Sequence, residues 1–149
     1  MFRLAALLFA LLAILAPPAR AERGADGRFD TRRSSHFDLY QDVDIDETGG
    51  FHGSRRFEEG LLDALESAYA RLGELLGLRP DRRIRVQVYD ARVFDASFAL
   101  AFRFPAAGFY AGVIRVRAGS SLDHALLRCL RHELVHAALD QQAPSLRLP

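Results

Sequence analysis

Lysine, asparagine and tryptophan are absent from this 149-residue sequence, and cysteine occurs once. With Cys129 alone, no internal disulfide forms in any compartment. That thiol reads as a small core residue, the other use being a pairing between chains if it is exposed. The missing lysine leaves every base an arginine, a sign of coding bias rather than chemistry, because the arginines are scattered along the chain. There is no internal repeat and no low-complexity tract. A long apolar run is lacking too. The longest, Leu4 to Ala16, would rise about 20 Å as a helix at roughly 1.5 Å per residue, short of a bilayer core of about 30 Å.

That run has another use. Arg3 precedes it, two prolines follow, and Ala19-Arg20-Ala21 sets small residues at the −3 and −1 positions of a cut before Glu22. Residues 1–21 therefore read as a signal peptide and the product as secreted or periplasmic, with no stable membrane insertion after cleavage. A retained anchor is the alternative, and the short run argues against it. Removing residues 1–21 takes Arg3 and Arg20 and leaves 18 arginines against 19 acids. Such a near-neutral chain, with no basic stripe, excludes nucleic acid as a partner.

What remains is the size of one domain. Residues 22–33 are polar and glycine-bearing and read as a flexible lead-in. Phe37, Leu39, Val43 and Ile45 alternate with Asp38, Asp42, Asp44 and Asp46, which predicts an extended segment with one buried side. A long helix is expected from Ser54 to Leu76. Phe57, Leu61, Leu65, Ala68, Leu72 and Leu75 form its apolar stripe, Ser54 its cap, and Gly77 with Pro80 its end. "RRIRVQVYD" is a strand with Ile84, Val86 and Val88 on one face. Residues 91–104 suit a short helix, "GFYAGVIRVRAG" returns to strand composition, and a last helix is expected over about 122–141. The order β-α-β-(α)-β-α predicts an α+β fold: a small mixed sheet packed on helices.

The chemistry lies on that last helix. "LRHELVHAALD" holds H-E-x-x-H, and two histidines four residues apart on a helix stand about 6 Å apart along its axis. His132 and His136 then share one face and can converge on a single Zn2+ at roughly 2.0–2.1 Å. Glu133 lies beside them, placed to act as general base toward a metal-activated water. The plain alternative is a solvated helix face on which Arg131, Glu133 and the histidines only meet water. A catalytic zinc site takes three protein ligands, and the third is not visible. Asp140 stands about 12 Å along the axis from His132, His124 about the same distance from it on the other side, and Cys129 about 10 Å from His136. His36 or His52 would have to arrive from other segments.

The segments "SSHFDLY", "LESAYARLGELLGLRPDRRIRVQVYD", "GFYAGVIRV" and "LRHELVHAALD" occur in this order over roughly residues 34–149. In that order and spacing the chain resembles the first part of the peptidase MA-like domains, exported gluzincin-type zinc metallopeptidases distantly similar to thermolysin. The resemblance implies a zincin-like fold with the H-E-x-x-H on its last helix, His132 and His136 as zinc ligands, and Glu133 as the base. It implies peptide or protein substrates, cut by metal-activated water. It also implies a third ligand from the glutamate of a following W-L-x-E-G helix. This sequence shows the linker-like "QQAPSLRLP" and then ends, so residues 34–149 are expected to be an incomplete domain. The resemblance further implies that the strand holding Phe109, Tyr110 and Ala111 offers an edge to extended substrate, by β-augmentation. The bland alternatives are a half-buried strand and, for Tyr110, a packed aromatic instead of a carbonyl-polarising hydroxyl. The competing function is a non-catalytic exported module that binds peptides or envelope partners with the same fold.

Overall fold

A computed structural model describes residues 29–43, 45, 53–103 and 105–142. The expected signal peptide (1–21), most of the lead-in, Asp44, Asp46, His52 and the segment after Gln142 lie outside the described residues. The fold is α+β. Among the described residues, five strands, β1 (Asp30–Arg33), β2 (Phe37–Asp42), β3 (Ile84–Asp90), β4 (Gly108–Tyr110) and β5 (Ile114–Ala118), make one sheet. Its order is β1-β2-β3-β5-β4. The three central strands run parallel, and each edge strand pairs antiparallel with its neighbour. Three helices among the described residues, α1 (Gly53–Leu76), α2 (Ala91–Phe98) and α3 (His124–Gln142), accompany it. Among the described residues no helix is long and apolar enough to cross a membrane.

The strands form where β-branched residues alternate. Ile84, Val86 and Val88 of β3 and Ile114 and Val116 of β5 are buried on the face that meets α1 and α3. Phe37 and Leu39 of β2 join them, and Phe57, Leu61, Leu65 and Leu72 descend from α1. From α3 come Leu126, Leu130, Leu134, Ala137 and Ala138. Each buried Leu, Ile or Phe contributes roughly 1.5–3 kcal/mol relative to exposure. Gln41 also turns inward, at 3% exposure. It is satisfied there by Glu58, 3.3 Å away, and by the Val43 amide at 3.0 Å. Leu75, expected in the α1 stripe, is 70% exposed instead. Gly77, with φ 68°, ends α1 and donates its amide to Gly73 at 3.2 Å.

Three expectations need correcting. The lead-in does not extend through Arg33: Asp30–Arg33 is strand β1, paired on β2 from Asp30↔Gln41 to Arg33↔Asp38. Its polar sequence hides it, because Arg32 and Arg33 serve as ion-pair partners of Glu58 and Asp38, each at 2.6 Å. The helix expected over 91–104 stops at Phe98 and tightens into a 3₁₀ turn at Ala99–Ala101. Lastly, "GFYAGVIRVRAG" is a hairpin and not one strand. Gly112, at φ 73°, turns the chain between β4 and β5.

Candidate metal centre

Helix α3 begins with a cap that the residue pattern carries but the expected boundary missed. The Asp123 carboxylate accepts the Leu126 amide at 2.7 Å, closing the first turn. From there the apolar positions face the sheet, and the next stretch of the helix turns His132 and His136 to the exposed side. Their Nε2 atoms stand 3.2 Å apart, with the rings inclined by 73°. Two nitrogens held at roughly 2.0–2.1 Å by one tetrahedral ion would be about 3.3 Å apart. The observed separation is close to the one a shared zinc ion would require. As a simple hydrogen bond, the same contact needs one ring to carry its proton on Nε2 and the other not.

Glu133 follows the first histidine and lies on the buried side of the helix. It is 7% exposed, turned toward edge strand β4, where the Tyr110 amide donates to its carboxylate. Burial raises the carboxyl above its ordinary range, against the opposing pull of His132, His136 and the Tyr110 amide. A carboxylate lifted in this way is a better proton acceptor than an exposed one. Edge strand and helix are tied again about two turns further on, where the Tyr110 hydroxyl donates to Asp140 Oδ2 at 2.9 Å. That bond sets Tyr110 against α3.

Phe109 and Ala111, the other two residues expected at a substrate edge, go to different places. Phe109 sends its ring to the opposite face of the sheet, 5.2 Å from Phe98 and 5.1 Å from Phe102 between centroids. Ala111 sits exposed in the hairpin turn, its amide bonded to Val113 at 3.2 Å. Gly108 makes the close approach of β4 to α3 possible: a Cβ there would stand 2.7 Å from Cys129 Sγ. Cys129 is half-buried, and burial followed by the charge of Glu133 pushes its thiol up to about 11. Burial thus disfavours the thiolate at this position.

Among the described residues, no group of three His, Cys, Asp or Glu side chains is placed to hold a metal ion. His124 is exposed at the start of α3. His36 is engaged with Glu66 on α1, Nδ1 to Oε2 at 2.6 Å, and stacks on Tyr69. The sequence foresaw the histidine pair and the nearby glutamate. It missed the amide that holds Glu133 and the Tyr110–Asp140 bond, since both join residues far apart in the chain. No family model matches the chain, and neither does any curated protein or solved structure.

Proposed function

We propose that this chain carries the zinc-binding helix and substrate edge of an exported gluzincin-type metallopeptidase that hydrolyses peptide bonds. The observation that carries the reading is the 3.2 Å separation of the His132 and His136 Nε2 atoms, beside a buried Glu133. His132 and His136 would hold Zn2+, with a third ligand supplied from outside the described residues. Zinc, when bound, polarises the scissile carbonyl and favours hydroxide over water at the reaction centre. Glu133 takes up the proton that the attacking water gives up, and its raised affinity for a proton suits that task. The Tyr110 amide fixes which way the carboxylate points. Edge strand β4 aligns the substrate backbone beside these groups.

A second reading is a peptide-binding module without catalysis. The presence of only two converging ligands among the described residues favours it. Metal content separates the two. Dialysis against zinc followed by elemental analysis should give close to one zinc per chain, bound weakly and exchangeably. His132→Ala and His136→Ala should each lose it. Zinc uptake unchanged in both variants would sink the metallopeptidase reading and leave the module.

A further inference from the structure

Helices α1 and α3 run side by side in the same direction. Near their starts a Cβ on Gly60 would meet Leu122 Cδ1, and at their ends Gln142 Nε2 donates to the Arg79 carbonyl at 2.8 Å. Between them lies an open groove of about 770 Å³. Ala64, Leu72, Leu75 and Leu76 of α1 face Leu134 and Val135 of α3 across it. A single exposed leucine is ordinary on a protein surface. Leu75 and Leu76 are both exposed and both line this one apolar groove, which marks a surface that another chain covers.

The charges on α1 say which chain. Asp63 and Arg71 stand exposed on the groove, and among the described residues neither enters an ion pair. They cannot meet each other, because the eight residues between them span about 12 Å along the helix. Ser67 lies midway on the same face, also in the groove. A two-fold axis through Ser67 sets two copies of α1 antiparallel, and in such an interface residue i meets j while j meets i. Asp63 of each copy then faces Arg71 of the other, so one surface forms two ion pairs with itself. Arg131 on the α3 wall leaves the groove one charge more positive than negative, which further favours an incoming carboxylate. The same rotation carries Leu75 of one copy to the level of Gly60 in the other, beside Leu122, which is also exposed.

We propose that this groove is a self-association surface, a two-fold interface between copies of α1 centred on Ser67. The leucines supply the affinity, and the exposed ion pairs, individually weak, fix the register. The inference rests neither on zinc nor on the β4 edge.

Sedimentation equilibrium of the full chain at micromolar concentrations is the test. The parent protein should dimerise in rising proportion with concentration. Asp63→Arg and Arg71→Asp should each weaken the dimer about tenfold or more, since each sets like charges across the axis twice. Combining the two substitutions reverses both pairs and should return the dissociation constant to within about threefold of the parent. Leu75→Glu should leave a monomer with unchanged circular dichroism, because that side chain is exposed within one copy. His136→Ala should lose zinc and still dimerise, so failure of the metal reading and failure of this one look different. A parent chain that stays monomeric at every concentration, a dimer unaffected by Asp63→Arg, or a double variant no tighter than either single one would overturn the proposal.

Discussion

Gly108 crosses α3 so closely that an added Cβ would lie 2.7 Å from Cys129 Sγ and 2.8 Å from the Arg115 carbonyl oxygen. The contact sets the height of strand β4 above the helix, and with it the Tyr110 amide that holds Glu133. Gly108→Ala must push the strand away, because one of the obstructing atoms is backbone. We expect a stability loss of about 1–3 kcal/mol from urea unfolding. Gly112→Ala should also destabilise, through its positive φ and not through contact, since open space surrounds it. Gly108→Ala unfolding at the parent denaturant midpoint would show that the approach is less tight than described.

Tyr110 and Asp140 form the second tie between β4 and α3. Tyr110→Phe removes one hydrogen bond and should cost about 1 kcal/mol. Amide exchange in β4 should accelerate more than in β3, because the edge strand depends on this tie and the central strand does not. Zinc binding should stay at the parent level. A loss of zinc in Tyr110→Phe would mean that the hydroxyl acts on the metal site directly.

Glu133 is held at a cost. Its carboxyl is raised by burial, so the folded chain binds protons more readily there than the unfolded chain does. That penalty is absent below the ordinary carboxyl range and grows as pH rises through the interval up to the folded value. In metal-free protein, Glu133→Gln should therefore raise the melting temperature at pH 7 and leave it unchanged near pH 3. In an active, zinc-loaded protein the same change should abolish turnover and keep the zinc. Glu133→Gln lowering the pH 7 melting temperature would refute the burial argument, and retained turnover would refute its role as base.

Glu66 behaves oppositely. Burial alone would raise its carboxyl, but hydrogen bonds from the His36 ring, the Ser34 hydroxyl and the His36 amide outweigh that and hold it low. Its stabilisation is present above the unfolded carboxyl range and is lost as pH falls through the folded value. Glu66→Gln should cost about 1 kcal/mol at pH 7, and the gap to the parent should close on acidification. A gap that widens toward low pH would reverse this assignment. His36 and Tyr69 fasten the start of β2 to α1 through the same cluster.

Leu130, 2% exposed, lies one turn before Leu134 under the histidine face. Leu130→Ala should lower stability by about 2–5 kcal/mol. Because the histidines project from the far side, the mutant should still bind zinc where it remains folded. Lost zinc affinity at full folding would show that core packing and ligand geometry are coupled.

The histidine pair was legible in the sequence because a helix fixes its own periodicity. Residues four apart share a face whatever the helix packs against. The strand β3 and the long α1 were legible for the same reason, their apolar positions repeating at two and at three or four. The β4–β5 hairpin left only Gly112 as a trace, and composition alone made one strand of it. Strand β1 left less, since Asp30–Arg33 is charged and becomes a strand through pairing with β2 and ion pairs to Glu58 and Asp38. Local sequence determined which side chains can approach one ion. Tertiary structure alone decided that Glu133 is buried against the Tyr110 amide, because that contact depends on how closely a separate strand passes over the helix.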